Sequence, residues 1–224
     1  PVSGIPNDSI PPWMNIRLPL ENSTISGLVE INMSFEDDAD WISIEAAVDN
    51  NIDRIPDAGW IQILNLSDPT ESVIWDSTDL PSGITDGDVI LLRTSGVDES
   101  GNHNESESVY GIRIDNTMPD VLRIDSPIVD ALSEPSYLVY GTSEPDARIT
   151  VSRNSVPMWL YQCDETGSFQ FYLTLEYGIN LFEVGSYDAI GNGPYIFEEI
   201  LYIIYDPDDP VAVIPELKLV TSKP

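Results

Sequence analysis

Two short patterns recur in this chain at nearly one interval, and that recurrence limits the fold more than any other feature. Gly96-Val-Asp98-Glu-Ser-Gly101-Asn102 returns as Ser186-Tyr-Asp188-Ala-Ile-Gly191-Asn192, 90 positions on. Ile112-Arg-Ile-Asp115-Asn-Thr-Met-Pro119 returns as Ile203-Ile-Tyr-Asp206-Pro-Asp-Asp-Pro210, 91 positions on. Two landmarks at one period mean two copies of one structural unit. A third Asp-x-x-x-Pro, Asp8 to Pro12, precedes the first copy. The expected order is a linker over 1–10, a domain over 11–117, and a second domain over 118–206. Residues 207–224 are then a linker or the start of a truncated third repeat. A length of 224 residues suits two domains of about 110.

Within each copy the apolar residues recur at every second position. Val29, Ile31, Met33 and Phe35 alternate with Glu30, Asn32 and Ser34; Ile42, Ile44, Ala46 and Val48 alternate with Ser43, Glu45 and Ala47. Phe169, Phe171, Leu173 and Leu175 do the same later. This period buries one face of an antiparallel sheet and leaves the other in water. No segment shows a capped helical period, and 18 Pro with 14 Gly punctuate short strands. The expected class is all-β, as two tandem antiparallel sandwiches.

Charge removes several function classes. Nine Lys+Arg stand against 39 Asp+Glu, a net charge of −30. That field repels phosphate backbones and anionic membrane surfaces, so neither nucleic acid nor membrane is an expected partner. Residues 1–117 carry 22 acids and 4 bases, and the rest carry 17 and 5, so the excess is spread as a soluble, salt-tolerant surface would spread it. No apolar run is long enough to span a bilayer. The first residue is not Met and no leader is visible, so a processed chain or a piece of a longer protein is expected. Catalysis has little to work with. The single histidine, His103, sits in a polar run that reads as a loop, and the single cysteine, Cys163, reads as a passive strand residue. No nucleophile elbow, P-loop or zincin motif is present, and a non-enzyme is expected.

The second copy carries a resemblance. Gly141-Thr-Ser-Glu-Pro-Asp-Ala-Arg-Ile-Thr-Val, Asp164-Glu-Thr-Gly-Ser-Phe, Gly178-Ile-Asn-Leu-Phe-Glu-Val and Tyr187-Asp-Ala-Ile-Gly-Asn follow one another in order. Together they resemble the bacterial and archaeal Ig-like (Big-type) repeats of adhesins, S-layer and other cell-surface proteins. The first copy matches more loosely, departing at Trp41, Trp60 and a long hairpin around Asn50–Gly59. The resemblance implies an extracellular or cell-surface prokaryotic protein, with this segment as a non-catalytic spacer. The rival expectation is a ligand- or carbohydrate-binding accessory module of an extracellular hydrolase or adhesin. Other domains of the same chain, surface proteins or glycans are the expected partners.

Both recurrent Asp-x-x-Gly-Asn patterns read as turns in which Gly takes a positive φ and Asp accepts backbone N–H groups. In an Ig-like domain these turns lie at the end that receives the incoming linker. The candidate metal ligands are therefore Asp98 and Asn102 with Asp37 and Asp38 of the run 36–40, and Asp115 and Asn116 with Asp188 and Asn192. Oxygen donors of this kind suit Ca²⁺, and the resemblance implies Ca²⁺ at domain junctions. Zinc lacks His and Cys ligands here. Five sequons mark candidate N-glycosylation at Asn7, Asn22, Asn32, Asn65 and Asn104. Trp159, Tyr161 and Tyr172 are read as outward aromatics, and so as candidate glycan contacts.

Overall fold

The computed structural model describes residues 9–36, 39–126, 131–197 and 201–206. It divides into two units, Pro1–Thr117 and Met118–Pro224. Every regular element among the described residues is a strand.

The first unit runs β1 (Met14–Leu18), β2 (Thr24–Ile25), β3 (Leu28–Phe35), β4 (Ala39–Val48), β5 (Ile61–Leu66), β6 (Ser72–Asp76), β7 (Val89–Asp98), β8 (His103–Glu105) and β9 (Val109–Ile114). One sheet has the order β1-β3-β6, and the other β2-β9-β7-β4-β5 with β8 against β7. The alternating positions read from the sequence point between the sheets. Ile31, Met33, Ile42, Ile44, Ile90, Leu92 and Ile112 are fully buried there. The central strands β4 and β7 are covered on their second face as well. Ala47 and Leu91, cross-strand partners on that face, are fully buried, as is Asp49. The Arg93 guanidinium lies 4.2 Å from the Trp60 ring and bonds Glu45 at 2.8 Å and Glu105. Arg54, from the β4–β5 connection, lies 3.7 Å over the Tyr110 ring. The long hairpin thus caps its own sheet, which is why Ala47 is buried where the alternation alone faces it to water.

That connection is held by Asp49, whose two carboxylate oxygens accept the Asp53 and Arg54 N–H groups at 3.1 and 3.0 Å. Asn50 fixes the other side, donating to Asp88 and accepting the Val89 N–H.

The second unit repeats the plan strand for strand. Its elements are β10 (Arg123–Ile124), β11 (Ala131–Leu132), β12 (Ser136–Thr142), β13 (Arg148–Arg153), β14 (Val156–Gln162), β15 (Ser168–Thr174), β16 (Gly178–Tyr187), β17 (Tyr195–Ile196) and β18 (Leu201–Tyr205). The sheet orders are β10-β12-β15 and β11-β18-β16-β13-β14, with β17 against β16. In both units the short second strand pairs parallel with the last strand, β2 with β9 and β11 with β18. The Asp115 N–H bonds Ile25 O at 3.0 Å, and the Asp206 N–H bonds Leu132 O at 3.2 Å. The two landmarks therefore occupy equivalent places. Val139, Ile149, Leu173, Phe182 and Val184 form the second core. These are two Ig-like β-sandwiches.

Candidate functional site

The Asp-x-x-Gly-Asn segments close equivalent turns, after β7 and after β16. At the first, Asp98 is almost fully buried, and its carboxylate accepts the Asn102 N–H and the Asn102 side-chain amide, both at 2.8 Å. Gly101 takes φ +87° and donates its N–H to Asp98 O at 3.0 Å. Burial pushes the Asp98 carboxyl up, but the Asn102 amide and the N–H groups of Asn102, Ser100 and Gly101 outweigh it and hold the carboxyl below its ordinary value. At the second turn Asp188 accepts the N–H groups of Ile190, Gly191 and Asn192 at 3.0, 2.6 and 2.8 Å, and the Asn192 amide at 2.7 Å. Its Gly191 has φ +108°. Each Asp is thus the acceptor around which its own turn is built.

This bears on the cation expected here. Asp115 and Asn116 belong to the first domain, and Asp188 and Asn192 to the second. The Asn116 side chain ties together the ends of its own sandwich. Its oxygen accepts the Gly27 N–H at 2.9 Å and the Ser77 hydroxyl at 3.1 Å, while its amide donates to Ser77 O at 2.9 Å. Asp115 accepts the Thr117 N–H at 3.2 Å. Glu36 accepts the Trp13 N–H at 2.7 Å, and Glu144 accepts the Asp120 N–H at 3.0 Å. Among the described residues, no three acidic, His or Cys side chains converge in a way that could hold a metal ion. At both turns the carboxylate oxygens meet N–H groups of their own loop. Asp37 and Asp38, like Asp8, lie outside the described residues.

Tyr161 and Tyr172 do not share a surface. Tyr161 pairs with Ile149, which is fully buried, and cross-strand partners share a face. Its ring stacks on Phe171 at 4.2 Å, and burial raises its phenol pKa. Tyr161 therefore packs against the core, partly buried, and it is Leu160 that faces outward on β14. Trp159, on the same strand as Tyr161, pairs with Val151 of β13. Tyr172 lies on β15, in the other sheet, and is 65% exposed. Its neighbour across the sheet face, Tyr140, escaped the sequence reading. The only available signal was the alternation of Tyr137, Val139 and Gly141 with Leu138, Tyr140 and Thr142.

The sequons differ in setting. Asn65 is exposed on edge strand β5, and Asn22 is exposed in a left-handed conformation with φ 59°. Asn32 is half-buried opposite Ser72 on β6, and the Asn104 amide donates to Pro12 O at 3.0 Å. Asn7 lies outside the described residues.

His103 is on strand β8 rather than in a loop, because its segment pairs with β7, and its Nε2 lies 2.9 Å from the Ser95 hydroxyl. Cys163 follows β14, where burial, with Asp164 and Asp146 nearby, pushes its thiol pKa up to about 11. Such a thiol is protonated at neutral pH, the opposite of an activated nucleophile.

No protein-family profile matches the chain, and no curated protein matches it. Among solved structures it is similar to the fibronectin(III)-like modules of CbhA from Clostridium thermocellum, at 12% identity and a TM-score of 0.49, over 86% of this chain and 94% of that one. It is also similar to the fibronectin domains FN1–FN3 of chicken CNTN1, at 8% identity and a TM-score of 0.44, over 85% of this chain and 66% of that one.

Proposed function

We propose that this chain is a non-catalytic structural segment of an extracellular or surface-anchored prokaryotic protein, in which repeated sandwiches space and present other parts. The observation that carries the proposal is the strand-for-strand repetition of one sandwich, with its landmark residues used up in building it. Asp98, Asp188, Asn116 and Asn180 each saturate backbone groups of their own domain. The acidic surface suits a position facing salt water or the medium, where repulsion keeps neighbouring copies apart.

Two experiments test this. Antibodies raised against the chain should label intact, unpermeabilised cells of the source organism; labelling only after permeabilisation would overturn the location. Replacing 118–206 in the parent protein by an unrelated sandwich of equal length should leave the parent's catalytic activities in place. Loss of a catalytic activity would assign chemistry to this segment and overturn its non-catalytic role.

A further inference from the structure

The outer face of the β10-β12-β15 sheet departs from the acidity of the rest of the chain. The register sets Leu138 opposite Tyr172, Tyr140 opposite Gln170, and Thr142 opposite Ser168. The alternate residues Val139, Phe169, Phe171 and Leu173 are buried in the core, so these six face outward. None of the six carries a charge, in a chain of net charge −30. Tyr172 is 65% exposed and Tyr140 40% exposed. They stand diagonally on neighbouring strands, a placement that separates positions by roughly 7–8 Å. At the β10 side, Arg123 pairs with Thr142, and its guanidinium is joined to Asp125 at 2.6 Å, so that flank is neutralised within the domain.

We propose that this face of the second domain binds an uncharged polysaccharide, a role beyond that of a spacer. Two exposed tyrosine rings on one sheet face present apolar surface to the C–H faces of sugar rings, while their hydroxyls stay in water. Gln170, Thr142 and Ser168 supply the donors and acceptors that sugar hydroxyls require. The charge pattern selects among partners. An anionic glycan meets the field of the whole chain, and a basic protein finds no acid among the six positions. A neutral chain of sugars meets neither obstacle, because complementarity here consists of matching absence of charge.

The test is affinity electrophoresis of the whole chain through gels containing barley β-glucan, galactomannan or hydroxyethylcellulose, with alginate as the anionic control. Retardation is expected in at least one neutral gel and not in alginate. Tyr172→Ala and Tyr140→Ala should each weaken retention about fivefold, the loss that follows from removing one stacked ring. Tyr177→Ala, at an exposed position outside this face, should leave retention unchanged. An unchanged urea midpoint for each variant establishes that the fold is intact. No retardation in any neutral gel, or retardation indifferent to both tyrosine substitutions, overturns the proposal. Concentration-dependent self-association abolished by Tyr172→Ala also overturns it, since the face would then belong to a second copy.

Discussion

The recurrent aspartates are acceptors before they are charges. Asp188 gathers four N–H groups into one buried carboxylate, and truncation removes the acceptor that all four share. Asp188→Ala should destabilise the second domain by about 2–3 kcal/mol, the range for hydrogen bonds to an ionised group, as read from urea unfolding. Four other carboxyls report on pH. Asp76 and Asp164 are held below their ordinary values chiefly by the hydroxyls of Thr78 and Thr166. Asp88 and Asp98 are raised by burial but lowered more by the hydrogen bonds they accept. A carboxyl with a depressed folded pKa contributes stability that is fully present above its unfolded value. That contribution is lost as the pH falls through the folded value. The melting temperature should therefore drop as the pH falls below about 4, measured by calorimetry in buffers of fixed ionic strength. Cys163, with its thiol pKa pushed to about 11, should resist alkylation at pH 8 in the folded chain and react readily once urea unfolds it.

At the scale of the element, the motif glycines show how the chain writes its strand contacts. A Cβ on Gly141 would stand 2.0 Å from Arg123 O, and one on Gly167 would stand 2.1 Å from Ser143 O, where φ is also +80°. Backbone passes too close at both places for any side chain. Gly141→Ala should push β10 away from β12 and lower the stability of the second domain by more than about 2 kcal/mol, leaving the first domain's unfolding unchanged. Period-two segments such as 29–35 and 169–175 made their strands and inward faces legible, because burial on one face writes directly into alternation. Short elements such as β2, β8 and β11 were not legible, since two or three residues carry no period and owe their form to a neighbouring strand. Tyr161 was misread as outward because alternation within one strand does not say which phase faces the core; the partner Ile149 decides it. Asn180 stood out only as part of a motif. Its reason is that its amide bonds Glu176 O and Gly178 O while its oxygen accepts the Glu176 N–H, which binds the β15–β16 turn into one piece.

For the whole molecule, charge and sequence repetition set the terms. A chain of net charge −30 repels itself when folded, so sodium chloride should raise its melting temperature at pH 7 by screening. Exchanging millimolar Ca²⁺ for chelator at constant ionic strength tests the cation expected at the domain junction: a Ca²⁺ site raises that temperature beyond the rise given by Mg²⁺, and an unchanged temperature leaves the turn aspartates as backbone acceptors alone. The parallel pairing of each second strand with the last strand has a mechanical consequence. Tension applied to the two ends of either sandwich first loads β1 against β3, or β10 against β12, and then pulls β2 against β9, or β11 against β18, along their length. Their hydrogen bonds are then loaded side by side and must fail together, instead of opening one at a time as in a peeled hairpin. Asp115→Pro, which deletes the N–H bonded to Ile25 O, should lower the rupture force of the first sandwich in single-molecule stretching and leave that of the second unchanged. The strand order that makes each unit a sandwich also makes it a shear-loaded link that resists extension.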